Sequence, residues 1–428
     1  MKRYVFATAT LALAAWRVSH IINALTPVDM PAEYFATFDG PQNASKQCHI
    51  LHDVDRKLSY CEDQTFWDIK DPEGNIIDRK VIATCDPNRK NWNTVMGPLK
   101  DPNPKGHLFL IDFTTSSEKA KAITLENYPQ AHDFHPLGIQ IWPSIDGALS
   151  NMFVVNHGRH NTTIEQFSIS PRTPNSATYI RTISSDALIS PNALALISQN
   201  SFFVSNDHYF TRRLPGIFGK VLPVLETFSG LPLGFISHVS ISEHLDGVEV
   251  SYDTPQANYP FPNGVALSPD GKTLAVASSS FTRVTLYTRT RDQDGKEKLT
   301  SPKNIPFPFA PDNIHFEHDG TLIVTGHSHF PSLVAVAAGK KDHAPSWVIA
   351  LTPNANGTVI SDSNTPFSVS RRVSEKAVHD AGYSLFTLYQ GDGSKFGEST
   401  TGIRDSRTGT LFVTGLYQEG LLVCRSSY

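Results

Sequence analysis

Apolar and polar residues alternate along most of this chain in short runs, the period-2 pattern of strands with one buried face, while helical spacing is scarce. Gly, Pro, Asn and Asp punctuate the runs. Three stretches repeat most clearly: Asn192 to Leu196 followed by Ser201 to Asp207, Asn263 to Gly271 followed by Leu274 to Ala277, and Asn313 to Gly320 followed by Leu322 to Thr325. Each reads as a β-hairpin led by an amide side chain. Weaker copies run from Gly138 through Asp146-Gly147 to His157 and from Gly402 through Thr408-Gly409 to Leu416. A stretched copy runs from Glu62 through Glu73-Gly74 to Cys85. About six such repeats predict an all-β chain folded as a six-bladed β-propeller.

A propeller brings equivalent positions of its blades together around one axis. Glu62, Asn192, Asn263 and Asn313, far apart in sequence, would then converge, with Asp312 beside Asn313. Two carboxylates and three amide carbonyls are hard oxygen donors, a set that suits Ca²⁺ and suits zinc or copper poorly.

Composition agrees with a single domain over residues 40–428, since no long Gly/Ser or charged linker divides the 428 residues. A net charge of −4 with no basic stripe argues against a nucleic-acid partner. Residues 1–25 read as a signal peptide or a retained signal anchor: Lys2-Arg3 precede an apolar run from Tyr4 to Trp16, with Ala12-Leu13-Ala14 as a cleavage site. That run is short of the roughly 20 apolar residues needed to span a bilayer. Sequons at Asn43, Asn161 and Asn356 would be usable in the secretory route this segment implies. Four cysteines allow three pairings. No Gly-x-Ser-x-Gly elbow, His-Glu-x-x-His or P-loop occurs, so serine-hydrolase, zincin and phosphate-binding readings fall away.

Several strings, in order along nearly the whole chain, resemble the calcium-dependent serum paraoxonase/arylesterase (lactonase) family of six-bladed propellers. They are Cys61-Glu62-Asp63, Phe134 to Ile139, Val154 to His157, Pro191-Asn192, Ser205 to Phe210, Pro262 to Gly264 with Ser268 to Lys272, Pro311 to Ile314, and Leu422-Val-Cys424. The resemblance implies a catalytic calcium held by Glu62, Asn192, Asn263, Asp312 and Asn313, acting as a Lewis acid on an ester or lactone carbonyl. It implies a second, structural calcium at Asp63 and the Ile139 carbonyl, but Ala193 stands where the family has an aspartate. It pairs Cys48 with Cys424, stapling the N-terminal strand to the last blade. Cys61 and Cys85 then flank one hairpin and form either a second bridge or two buried thiols.

The general base departs from the family. Leu137 stands where the family has a histidine, leaving His157 as the leading candidate and His135, two positions before Leu137, as the second. His208 and His327 end other inner hairpins as His157 does. The apolar stretch Leu214 to Phe235 matches a family insertion over the active-site face; its prolines predict one short helix and a loop, forming a lid that admits apolar substrates and, with the N-terminal segment, touches membrane. The expected activity is calcium-dependent hydrolysis of small apolar lactones or aryl esters by a secreted or membrane-associated protein. Two alternatives stand beside it: a calcium-dependent isomerase or cyclase of the same fold, and a non-catalytic calcium-binding propeller.

Overall fold

The computed structural model describes residues 15, 18, 21–37, 40–42, 44–113, 118–354 and 381–425. The signal segment up to residue 14 and the sequons at Asn43 and Asn356 lie outside the described residues. Six sheets follow one another along the chain, and each starts from an innermost strand: Cys61–Lys70, Pro136–Ile141, Pro191–Ser198, Pro262–Leu267, Ala310–Phe316 and Ser399–Asp405. Each innermost strand packs beside the next, and the sixth returns to the first, so the ring is closed. We number the sheets blades 1 to 6 in that order. The six expected hairpins are these innermost strands with their second strands.

The ring is sealed by an exchange of strands. Cys48–Leu51 is the outer strand of blade 6, pairing antiparallel with Leu421–Cys424, and a Cys48–Cys424 disulfide joins the two. Tyr34–Thr37 likewise pairs with Tyr383–Gly391 of blade 5. The expected second bridge, Cys61–Cys85, is also formed. Closing the loop between Cys48 and Cys424 removes on the order of 5 kcal/mol of unfolded-chain entropy in the chain-entropy picture.

Alternation drives the core. Strand faces pack against neighbouring blades in six apolar clusters, one of which joins Trp347, Phe307 and Phe309 to Leu286 and Val324. The 214–235 insertion forms the one short helix and loop expected of it: a 12-residue helix, Phe218–Ser229, runs through Pro223 and ends at Gly230 in the left-handed region (φ 58°). Pro223 forfeits one helical hydrogen bond, yet its carbonyl accepts the Thr227 hydroxyl and the helix packs onto the blades. A second helix, Phe330–Ala337, was not evident in the sequence and covers the same face. Among the described residues no helix is long and apolar enough to cross a membrane.

Candidate active site

One local irregularity recurs in every blade and builds the site. Where the innermost strand begins, its pairing with the second strand is broken by a β-bulge. The residues left over are Glu62, Leu137-Gly138, Asn192-Ala193, Asn263-Gly264, Asp312-Asn313 and Thr400-Thr401. Proline precedes four of these bulges: Pro136, Pro191 and Pro262 open their strands, where a first residue can lack an N–H, and Pro311 follows the first residue of its strand. A bulge turns a side chain out of the ladder, and these bulges sit at the start of six innermost strands that pack side by side around one axis. Glycine lets them crowd together: a Cβ on Gly138 would lie 2.1 Å from the Asn192 carbonyl oxygen, and one on Gly264 would lie 2.6 Å from that of Asp312.

The expected ligands are those bulge residues. Glu62, Asn192, Asn263, Asp312 and Asn313 are all buried. Each amide spends its NH₂ on the protein: Asn313 donates to Glu62 Oε1 (2.9 Å), Asn192 to Asp207 Oδ2 (3.2 Å) and Asn263 to Ser279 Oγ (3.1 Å). The oxygens are left over. Glu62 Oε2 and the Oδ1 atoms of Asn192, Asn263 and Asn313 are buried with no hydrogen-bond partner among the described residues. An unpaired buried acceptor costs about 1–3 kcal/mol, so four gathered from four blades fit a cation. Burial raises Glu62 well above the usual carboxylate range, and the charges of Asp63 and Asp312 push it the same way. A divalent ion would relieve that repulsion. Among the described residues no three His, Cys, Asp or Glu side chains cluster in a metal-holding geometry, as a set built mainly of amides requires.

Asp63, the expected ligand of a second ion, is already satisfied. Its Oδ1 accepts the Gln64 N–H (2.8 Å) and the Thr401 hydroxyl (3.0 Å), and its Oδ2 accepts the Ile139 N–H (2.9 Å). Ile139 thus meets Asp63 through its N–H. Burial raises the Asp63 carboxyl to about 7.

The two candidate bases differ sharply. His157 has both ring nitrogens engaged: Nε2 lies 3.0 Å from the Pro191 carbonyl, which can only accept, and Nδ1 lies 2.6 Å from the Thr94 hydroxyl. Burial, assisted by the Arg213 charge, lowers it to about 4. His135 points Nδ1 at Asp86 Oδ2 (2.8 Å), stacks on Trp92 (centroids 5.5 Å) and leaves Nε2 buried without a partner among the described residues. The loop after strand Ile76–Cys85 supplies Asp86, Arg89, Trp92 and Thr94, none of which the sequence singled out. It reaches both histidines: Trp92 Nε1 donates to the His157 carbonyl (2.7 Å), and Arg89 donates to the Pro136 carbonyl (2.9 Å) while its charge acts on Glu62 and His157.

The remaining expectations fall as follows. His327 Nε2 lies 2.9 Å from Asp312 Oδ2, and His208 pairs with Asp207 (3.3 Å) and Thr227 (2.7 Å). Leu137 is buried in an apolar cluster with Phe153, Val155 and Leu188. Asn161 is exposed, its amide on Ser184 Oγ (2.9 Å). Outside the axis, Ser201, His238 and Asp253 form a relay (2.8 and 2.9 Å) across the second, third and fourth strands of blade 3. It clasps strands in register and lies outward of the bulges.

A family model described as Arylesterase matches residues 98–358. Serum paraoxonase/arylesterase 2 of Gallus gallus is 26% identical over 290 residues, 68% of this chain and 73% of that protein. Its counterpart from Homo sapiens is 23% identical over 74% of this chain and 78% of its own length. Among solved structures, a gluconolactonase from Xanthomonas campestris aligns over 94% of this chain and 97% of its own, with 13% identity and a TM-score of 0.42.

Proposed function

The chain belongs to the arylesterase family, and from that membership we propose a calcium-dependent hydrolase of lactones or aryl esters with His135 as its base. The observation that carries the metal assignment is the set of four partnerless buried oxygens, one from each of blades 1, 3, 4 and 5. Glu62, Asn192, Asn263, Asp312 and Asn313 would hold one calcium, which supplies Lewis-acid polarisation of the ester carbonyl. The full hydrogen bonding of Asp63 supports a single ion. Ala193, whose N–H bonds Ser205 Oγ (3.1 Å), offers no carboxylate for another.

Asp86 accepts the Nδ1 proton of His135, which fixes the tautomer and leaves the Nε2 lone pair to take a proton from water. Trp92 covers one face of the ring and keeps bulk water off it. His157, neutral and tied at both nitrogens, positions rather than titrates: it holds the Pro191 carbonyl one residue before Asn192. His327 orients Asp312 in the same way. Exposed Ile217, Phe218 and Leu225 on the insertion and Val18 in the N-terminal segment support contact with a lipid surface. The two disulfides support passage through the secretory pathway.

The test is hydrolysis of a lactone series and phenyl acetate with and without a calcium chelator, together with metal analysis. Chelator-sensitive turnover with one calcium per chain is expected. Bound calcium without turnover of any ester would sink the hydrolase assignment and favour the isomerase, cyclase or binding propeller.

A further inference from the structure

An apolar slot lies beside the candidate metal oxygens, and one of its walls comes from the N-terminus. Residues 21–25 are helical and place Ile21, Ala24 and Leu25 against Phe228, Phe261 and Phe330, which arise from blades 3, 4 and 5 and their helices. Ile21 and Ala24 are buried there, whereas Ile22 on the same turn is half exposed. Asn23 fastens the segment to the propeller, donating to the Phe307 carbonyl (3.1 Å), and Thr26 closes the helix on the Ile22 carbonyl (2.9 Å).

The slot's polar groups are turned away from it. Ser280 donates to the Thr227 carbonyl (2.7 Å), Thr227 Oγ1 to the Pro223 carbonyl (2.9 Å), and Ser279 to the Pro311 carbonyl (2.6 Å). What remains is a hydrocarbon surface edged by three aromatic rings. Ser279 also receives the Asn263 amide (3.1 Å), whose oxygen is one of the four without a partner, so the slot abuts the reacting centre. As it stands it leaves about 10 Å³ of room, on the order of one water molecule, and any group entering it must be accommodated by its walls.

We propose that Ile21 and Leu25 are specificity-determining residues that form the N-terminal wall of a subsite for the hydrocarbon part of the ester. This rests on the hydrolase reading above. It further requires the mature protein to retain residues 21–25, as a cut after Ala14 would leave them and a cut at residue 25 would not.

The test compares kcat/KM for γ-lactones of increasing alkyl chain length in the wild type, in Ile21→Ala, in Leu25→Ala and in Ile22→Ala as the exposed control on the same turn. A methylene in an apolar pocket is worth about ten-fold or more in selectivity. Ile21→Ala and Leu25→Ala are therefore expected to shift the long-chain to short-chain ratio by about ten-fold toward long chains, with Ile22→Ala unchanged. Affinity for the matching alkyl γ-lactams, which are not turned over, should shift in parallel. Unchanged ratios and lactam affinities, or an equal shift in Ile22→Ala, would overturn the proposal. If no lactone is hydrolysed even by the wild type, the hydrolase reading fails, and lactam binding alone then decides whether residues 21–25 form a ligand wall. Calcium-dependent melting of each variant separates misfolding from altered selectivity, and substitutions to Val provide milder forms should Ala destabilise the segment.

Discussion

The two ends of the propeller axis are built from the same innermost strands and hold opposite kinds of polar chemistry. At the bulged end, Glu62, Asn192, Asn263 and Asn313 each keep a buried oxygen without a partner. At the other end, buried charge is paired to completion. Arg79 grips Asp68 through two nitrogens (2.5 and 3.0 Å) and reaches Asp405 (2.9 Å), while Arg404 forks onto Glu317. Burial would raise Asp68, yet hydrogen bonds from His318 and Arg79 hold it near 2. An opening of about 120 Å³ lies there, lined by Thr65, Phe66, Gln140 and His315, but the charges around it already have partners. Burying unpaired acceptors is costly. A fold that does so at one end and avoids it at the other sets the end whose chemistry suits a cation apart from the end whose paired charges hold the blades together.

Substitutions can sharpen or break this contrast. The largest effect is expected at the bulged end: His135→Gln should lower kcat about 10²–10⁴-fold with little change in melting temperature, and Asp86→Asn should follow it. Steady-state kinetics check this, and full activity in His135→Gln with loss in a His157 variant would reverse the two roles. At the paired end, Arg79→Met leaves Asp68 with His318 alone (3.5 Å) and Asp405 with Arg407 (3.4 Å) and Thr408, so denaturant unfolding should show a loss of about 3 kcal/mol. Asn263→Ala removes an oxygen that the calcium-free protein cannot satisfy. In chelator it should cost about 1 kcal/mol or less, while the stabilisation that added calcium confers on the wild type disappears. Equal losses for Arg79→Met and Asn263→Ala in chelator would erase the distinction between the ends.

Acid affects both ends alike and is a smaller effect. His157 at one end and His315 at the other are each lowered from 6.5 to about 4, chiefly by burial. Unfolding lets these rings take up protons that the fold refuses. Stability is therefore full above pH 6.5 and falls as the pH drops from 6.5 toward 4, by up to about 3 kcal/mol per ring. Unfolding free energy measured across that window in chelator should show the slope, and His157→Gln should remove its own share.

Much of this was readable before any coordinates. The six hairpins and the oxygen-bearing residues at their start follow from period-2 alternation interrupted by Pro-Asn, Pro-Asp and Asp-Gly, all local signals. The Cys48–Cys424 closure followed from resemblance. The sequence pointed to His157 ahead of His135 because composition names an imidazole without telling which of its nitrogens are occupied. Asp86, Trp92 and Thr94 went unseen since their loop has no period, although its Asp-Pro-Asn and Met-Gly-Pro turns announce a loop. The helix at Phe330–Ala337 was hidden in an apolar run too short to separate helix from strand. The short helix expected in the 214–235 insertion forms and runs through Pro223, because packing outweighs one lost hydrogen bond.

Blade count, strand order and the oxygen-rich identity of the centre are properties of neighbouring residues and are written in the chain's local pattern. Which oxygens lack partners, which histidine nitrogen is free, and whether Asp63 awaits an ion or is already bonded depend on residues tens to hundreds of positions apart. Thr401 meets Asp63, Asn313 meets Glu62, and Ile21 comes to line one slot with Phe330 only once the ring has closed. A hydrogen bond satisfied or withheld is a relation between blades, and only the folded chain contains it.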